Sequence, residues 1–465
     1  MTDGQVSGGG FVEQSVYTGR VADILKTRIK GTPKACVITY GCQQNVSDSQ
    51  HFKGMLLKMG YELTDRTDEA DFILFNTCAV REHAEDRVWG NVGAVKKYKE
   101  ENRDLILAVC GCMVQQPSAA NRFLKSYPYV DILFGTQVGH RLPEFIYRRL
   151  SGERRISDLT LDNGNIVEDV PVFQDGGFKG FIPIMYGCDN FCSYCIVPYV
   201  RGRERSRGSE AVISEAEKMA ADGFKEIMLL GQNVNSYGKG LKEDINFAEL
   251  LRKINAIPGE FRIKFMTSNP KDCTEELLDA MKDCEKVERH LHLPFQSGSD
   301  KVLRRMNRRY TFDSYLKIIA AARKRMPDIT FTSDVIVGFP DESEEDFAKT
   351  LNLVRQVGFS ALFTFIYSKR DGTPAAIMPD GVTRAQKGER FDRLLRLQEK
   401  CAAKVLESMV GRTVTVLCEE YADGMCFGKD EHQLNVKFKS EDNLIGRFVK
   451  VKIESAGEVL SGSKI

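Results

Sequence analysis

The chain has 465 residues, too many for one ordinary core, so two or three domains are expected. With 42% hydrophobic and 28% charged residues it reads as a soluble globular protein, and a net charge of +1 neither requires nor excludes a nucleic-acid partner. No apolar run reaches about 18 residues and the polar start lacks a signal-peptide pattern, so a cytoplasmic protein without membrane attachment is expected.

Residues 1–32 read as a flexible N-terminus. From 33 to 149, strands at 35–40, 71–76 and 105–110 alternate with helical patterns, among them 48–59 with Ser47 as N-cap. That alternation predicts a doubly wound parallel sheet in an α/β fold. Residues 150–173 lose the rhythm and read as a linker. A second series over 174–404 carries six candidate strands, at 181–185, 226–230, 262–266, 289–293, 330–337 and 361–367. Six such units build a partial (β/α)6 barrel, closed by an amphipathic helix over about 384–409. Short strands at 413–418, 435–438 and 448–453 predict a small β-barrel over 407–465.

Thirteen cysteines, odd in number and unevenly spaced, fit a disulfide framework badly. Cys188, Cys192 and Cys195 form a CxxxCxxC loop directly after the first strand of the second series. Three thiolates on one short loop hold three irons of a 4Fe-4S cluster and leave the fourth open to a ligand. A structural zinc site wants a fourth Cys or His nearby, and none follows soon after Cys195. Gly187 lets the chain turn sharply at the strand end.

Cys42, Cys78 and Cys112 are dispersed in sequence, yet each follows a strand of the first series. Parallel sheets bind ligands beyond the carboxyl ends of their strands. The placement admits a second cluster with an open iron and, equally, three unrelated thiols. Cys36 and Cys110, inside strands, are expected in the core.

The CxxxCxxC loop in this setting resembles the radical SAM superfamily. The resemblance implies that S-adenosylmethionine (SAM) binds the open iron and is cleaved to a 5′-deoxyadenosyl radical. It places Tyr194 near the adenine. It also assigns SAM contacts to Gly231, Gln232 and Asn233 after the second strand, Ser268 and Asn269 after the third, Gln296 within 293–299, and Val337 within 335–340. Further, Tyr40-Gly41-Cys42-Gln43-Gln44-Asn45, Asn76-Thr77-Cys78-Ala79-Val80-Arg81 and Cys110-Gly111-Cys112 resemble the three cysteine motifs of the methylthiotransferase N-terminal domain. That family joins this domain to a radical SAM core and an RNA-binding TRAM barrel, the order found here over about 33–465. The resemblance therefore implies two 4Fe-4S clusters, on Cys42, Cys78 and Cys112 and on Cys188, Cys192 and Cys195.

The segments 199–207, 293–300 and 365–374 look most like the branch that methylthiolates carbon 2 of N(6)-dimethylallyladenosine at tRNA position 37. Other branches act on threonylcarbamoyladenosine in tRNA or on an aspartate of a ribosomal protein; a noncatalytic iron–sulfur RNA-binding protein is the remaining alternative. The expected partners are the tRNA anticodon stem-loop and a cellular reductant, with the chain a monomer. Arg201, Arg203, Arg205 and Arg207, just beyond the cluster loop, are the first candidates for RNA phosphates. From residue 411 onward 8 basic residues face 9 acidic ones, a net −1 that runs against a basic RNA-binding appendage.

Overall fold

The computed structural model describes residues 11–79, 82–161, 166–174 and 176–465. The chain divides into two compact units: 1–176 with 186–189 and 196–205, and 177–185 with 190–195 and 206–465. Among the described residues no helix is long and apolar enough to cross a membrane.

The first unit is a six-stranded parallel sheet of β1 (Lys34–Thr39), β2 (Glu62–Leu63), β3 (Phe72–Thr77), β4 (Ile106–Gly111), β5 (Ile132–Phe134) and β6 (Ile156–Asp158), in the order β2-β1-β3-β4-β5-β6. β3 and β4 are buried along their whole length, as strands covered by helices on both faces must be. Alternate residues part to opposite sides. Phe72 and Leu74 pack with Phe52 and Met55 of α2 (Gln43–Lys58), whereas Ile73 and Phe75 pack with Val88 and Val92 of α3 (Glu82–Ala94). The doubly wound reading therefore holds. Strand order reverses between β1 and β3, and in such sheets the crevice beyond the strand ends at that reversal is the ligand position.

Three expectations for this unit change. Residues 11–28, expected to be flexible, form helix α1 (Phe11–Arg28), while residues 1–10 of that expectation lie outside the described residues. Val21 and Leu25 of α1 are buried in the core, and Tyr17 lies 5.5 Å from the ring of Tyr147. The helix is weakly amphipathic and carries Gly19 in its middle, so only its tertiary partners reveal it. α2 begins at Gln43, with Cys42 at the N-cap, so Ser47 lies buried inside the helix. Residues 150–173 are not wholly linker: Ile156–Asp158 is the edge strand β6, and the Phe173 amide donates to the carbonyl of Gln50.

In the second unit the predicted partial barrel is present. Strands β7 (Lys179–Pro183), β10 (Glu226–Leu230), β11 (Arg262–Phe265), β12 (His290–His292), β13 (Thr330–Val337) and β14 (Ala361–Ile366) are all parallel. They make two three-stranded sheets, joined by an isolated parallel bridge between Ile263 and Val287. The short strands β8 (Met185–Tyr186) and β9 (Arg205–Ser206) flank the cysteine loop in sequence. Helix α14 (Arg384–Glu407) starts with a capping box between Thr383 and Gln386 and buries Leu394 and Cys401 against the barrel core.

The C-terminal strands β15 (Thr413–Ala422), β16 (Met425–Lys429), β17 (Asn435–Lys439), β18 (Phe448–Ala456) and β19 (Leu460–Lys464) close into a barrel. Its β16–β17 connection plugs the N-terminal end of the larger barrel. Buried Arg262 donates to the carbonyls of Thr415, Lys429 and Asp430, and the Arg289 amide to that of Glu431. The opposite, C-terminal end of the larger barrel, where such folds build sites, is left to the loops.

Candidate functional site

In the first unit the three dispersed cysteines converge. Cys42 follows β1 as the N-cap of α2, Cys78 follows β3, and Cys112 follows β4, its amide bonded to the Thr77 carbonyl at 2.9 Å. Gly41 has φ +119°, and a Cβ there would lie 2.5 Å from Cys78 Cβ. Only glycine allows the first and second cysteines to approach this closely. Cys78 and Cys112 are buried and Cys42 is exposed. Burial pushes the Cys112 thiol up to about 12, with Arg201 opposing and the thiols of Cys78 and Cys42 adding to the rise. A bound metal must therefore displace that proton.

One guanidinium binds this triad together. Arg201, at the end of α7 (Val197–Arg201), is 6% exposed and donates from Nε to Cys112 Sγ at 3.2 Å. Its Nη2 reaches Asp48 at 2.8 Å and Asn45 Oδ1 at 3.2 Å, and the same Asn45 oxygen accepts from Cys42 Sγ at 3.5 Å. A buried cation beside three thiols suits a donor set that works as thiolates. No three Cys, His or carboxylate groups here lie within 4.8 Å of one another; among the described residues only Asp430, Glu431 and His432 do. A single tetrahedral zinc, with Zn–S bonds of about 2.3 Å, needs closer sulfurs than that, so the spacing suits a larger cluster.

The CxxxCxxC loop has its own local supports. The Cys188 amide donates to the Gly202 carbonyl, and at Gly187 (φ +76°) a side chain would overlap the carbonyl of Arg203. In the second unit, the segment after α11 (Asp300–Arg305) holds the rest of the loop. The Ser193 amide bonds the Met306 carbonyl, Ser193 Oγ the Arg305 carbonyl, and Asn307 Nδ2 the Phe191 carbonyl. Arg308, 9% exposed, donates to Cys192 Sγ at 3.5 Å, to the Pro294 carbonyl at 2.7 Å and to Tyr310 Oη at 2.9 Å.

The residues expected to contact SAM line the C-terminal strand ends of the barrel. Asn233 and Ser268 are buried, and Asn233 Oδ1 and Ser268 Oγ have no hydrogen-bond partner among the described residues. Orphaned buried acceptors at strand ends fit a polar ligand. Gln296 (φ +62°) and Thr267 (φ +68°) hold left-handed backbone at these ends, a costly conformation for a β-branched threonine. Asn233 Nδ2 bonds Asp272, Asn269 caps the turn at Lys271, and the Gly231 carbonyl accepts from Thr267 Oγ1. Gln232 is half-buried beside them. Two residues sit differently. The Val337 side chain belongs to the core, leaving only its main chain for a ligand, and Tyr194 packs against the cluster of Val302, Met306, Phe339, Tyr367 and Ala375.

The arginine expectation needs correction. Arg201 is buried on Cys112 and Asp48 and has no face for a phosphate. Arg207 is committed to Glu215 and the Pro183 carbonyl. Arg203 is exposed and pairs with Asp189, and Arg205 is half-buried. Sequence reasoning also missed an aromatic surface. Phe363 and Phe365 of β14 are 46% and 42% exposed. They pair in register with Asp334 and Ile336, on the face of the sheet opposite core residues Val335 and Val337. Phe363 lies edge-on to His292 at 5.7 Å, and His290 and His292 share Thr332 Oγ1. Two aromatic residues at alternate positions of one strand, Phe363 and Phe365, were the available signal.

Comparison with known proteins is decisive. The chain matches the radical SAM superfamily over 182–354, the TRAM domain over 407–458 and, over 34–135, an uncharacterized protein family, UPF0004. It is 50% identical over 90% of both chains to a tRNA-2-methylthio-N(6)-dimethylallyladenosine synthase of Caldicellulosiruptor saccharolyticus. A protein of the same name from Clostridium beijerinckii is 49% identical over 90% of this chain and 92% of its own. The chain belongs to the radical SAM methylthiotransferase family. It is therefore a transferase that works with SAM and iron–sulfur chemistry. Among solved structures, the radical SAM methyltransferase TsrM of Kitasatospora setae, with cobalamin and a 4Fe-4S cluster bound, superposes with a TM-score of 0.54 at 14% identity, over 85% of this chain and 81% of its own. The cobalamin-dependent radical enzyme OxsB gives 0.52 at 14% identity, over 79% of this chain and 56% of its own. These likenesses concern the fold of the methylthiotransferase alone.

Proposed function

We propose that this methylthiotransferase adds a methylthio group to carbon 2 of N(6)-dimethylallyladenosine at position 37 of tRNA. The observation that carries this reading is identity near 50% along nine-tenths of both chains to synthases of that name. In it, Cys188, Cys192 and Cys195 hold the cluster that meets SAM, and Cys42, Cys78 and Cys112 hold the auxiliary cluster. Bound there, SAM and the clusters supply the radical chemistry that replaces hydrogen by sulfur on an aromatic carbon.

The chain's own residues orient the partners. Asn233 Oδ1 and Ser268 Oγ supply acceptors for the polar groups of SAM, with Gly231, Gln232, Asn269, Gln296 and the main chain of Val337 around them. Tyr194 braces the loop from the side. Phe363 and Phe365 offer an apolar, aromatic face suited to an unpaired base and its dimethylallyl group. The TRAM barrel contributes exposed Lys450 and Lys452 for phosphates despite its near-neutral total. The reading includes an anticodon stem-loop substrate, a cellular one-electron donor, a monomer and a cytoplasmic site of action.

The test is nucleoside mass spectrometry. Protein reconstituted anaerobically with iron and sulfide is given reductant, SAM and an anticodon stem-loop bearing N(6)-dimethylallyladenosine. Methylthio product is expected. SAM cleavage without RNA product would move the substrate to a different acceptor, a ribosomal-protein aspartate first.

A further inference from the structure

Each cysteine triad carries one buried arginine on one sulfur, and the two arginines differ in their counter-charge. Arg201 on Cys112 forms an ion pair with Asp48 at 2.8 Å. Arg308 on Cys192 forms no ion pair with any carboxylate among the described residues. Its other partners are the Pro294 carbonyl and the hydroxyl of Tyr310, both neutral. Tyr310 cannot serve as a hidden anion, because burial raises its phenol above the ordinary value.

We propose that Arg308 is a positioning residue that raises the reduction potential of the cluster on Cys188, Cys192 and Cys195, whereas the Arg201–Asp48 pair leaves the auxiliary cluster's potential nearly unchanged. The proposal rests on the ligand assignment above. Reduction adds one electron to a cluster already held by three anionic sulfurs. Hydrogen bonds to the sulfurs and the local net charge are the protein's levers on that step. In a poorly solvated site an unopposed guanidinium favours the more negative, reduced state. A guanidinium neutralised by a carboxylate at 2.8 Å presents a dipole, whose field falls faster with distance. The arrangement directs an incoming electron to the cluster that has to be reduced for SAM to be cleaved. Arg308 also ties Cys192 to the Pro294 carbonyl, two residues before Gln296, so it holds the loop against the exit of β12.

The test is an anaerobic redox titration followed by electron paramagnetic resonance, in two backgrounds. One has Cys42, Cys78 and Cys112 changed to Ala; the other has Cys188, Cys192 and Cys195 changed to Ala. Iron content is measured first. If it does not fall to about half in each background, the ligand assignment is wrong and the proposal goes with it. With one cluster retained, R308Q is expected to lower the midpoint so that the reduced-to-oxidised ratio at the unsubstituted midpoint drops about tenfold, about 59 mV for a one-electron couple. R308K, which keeps the charge, moves it less than half as far. In the other background the double substitution R201Q/D48N, which removes the neutral pair whole, shifts the ratio less than about threefold. D48N, which strips the counter-charge from Arg201, raises the auxiliary midpoint, and it decides the matter should R308Q fail to hold iron. An unmoved midpoint in R308Q with iron retained, or a D48N midpoint at or below the unsubstituted one, overturns the proposal while leaving the ligand assignment intact.

Discussion

The two cysteine triads solve one problem from opposite directions. Cys188, Cys192 and Cys195 are gathered by covalent spacing, within eight consecutive residues, and groups of Arg305, Met306, Asn307 and Arg308 then clamp a loop whose cysteines are already neighbours. Cys42, Cys78 and Cys112 are gathered by topology. Three parallel strands deliver them to one sheet edge, and Asn45, Asp48 and Arg201 complete the alignment. A site made by spacing survives distant rearrangement of the chain. A site made by topology depends on the sheet order and on each residue that bridges its strands. The two differ accordingly in what a substitution removes.

The largest expected effect comes from deleting one triad at a time. Alanine at Cys188, Cys192 and Cys195 abolishes reductive SAM cleavage, read as loss of 5′-deoxyadenosine to background. Alanine at Cys42, Cys78 and Cys112 leaves that cleavage in place and abolishes the methylthio nucleoside. Equal loss of SAM cleavage in both variants would show that the triads do not divide the chemistry.

Next come the two arginines, compared by stability. R201M strands the carboxylate of Asp48, whose side chain is 19% exposed, so a loss of about 3 kcal/mol is expected. R308M leaves only neutral groups short of a donor, and Tyr310 Oη still reaches the Pro294 carbonyl at 3.3 Å, so about 1 kcal/mol is expected. Denaturant midpoints of the metal-free variants check the order. The double variant R201M/D48N should recover part of the loss, because the stranded charge is gone. A larger loss in R308M than in R201M would contradict the counter-charge difference.

These contrasts also mark what sequence alone could reach. The six barrel strands and β1, β3 and β4 of the sheet lie within about two residues of their expected bounds, because parallel strands buried on both faces read as continuous apolar runs, whereas the short β2 and β5 went unpredicted. The CxxxCxxC loop was legible because its geometry is written in its spacing. Cys42, Cys78 and Cys112 were legible as strand-end residues, and family resemblance was needed to make them a site. Arg201 was not legible. It stands in a run of four alternating arginines that looks like a phosphate-binding stripe, and only the fold turns it inward to Cys112. Helix α1 and strand β6 were hidden for a related reason: each is stabilised by partners far away in the chain, Tyr147 and Phe134, rather than by its own pattern.

A smaller effect tests the aromatic face. Phe363 and Phe365 are half exposed on the barrel strand β14, and stacking on an unpaired base is worth about 1–3 kcal/mol. F363A and F365A should weaken binding of the dimethylallyl stem-loop by about that amount, with cleavage of SAM in the absence of RNA unchanged. The preference for dimethylallyladenosine over plain adenosine should narrow as well. Calorimetry or fluorescence anisotropy with the two RNAs reads both effects. Unchanged affinity for both would remove these rings from the substrate face.

The smallest effect lies at the far end of the barrel, where the β16–β17 connection inserts. His432 is buried there, with its Nε2 3.1 Å from Asp328 and its Nδ1 3.4 Å from Asp430, while its carbonyl accepts from Thr330 Oγ1. Glu431 adds a further negative charge nearby, and His290 lies within electrostatic reach from β12. Burial opposes the charged imidazolium, but the hydrogen bonds and charges of Asp430 and Asp328 outweigh it, and the pKa rises above 6.5. A raised folded value means that protonation stabilises the folded state. The contribution is complete below about 6.5, the unfolded value, and is lost as pH rises through the higher folded value. The stability difference between the wild type and H432Q should therefore be largest near about pH 5 and shrink toward about pH 9. His290, whose pKa is lowered by burial, His292 and nearby lysines, costs stability below about pH 6.5, but it does so in both proteins and cancels from the difference. A difference that grows with pH would mean that His432 is held neutral, and that the plug rests on hydrogen bonds that do not titrate, those of Arg262, the Arg289 amide and Thr330.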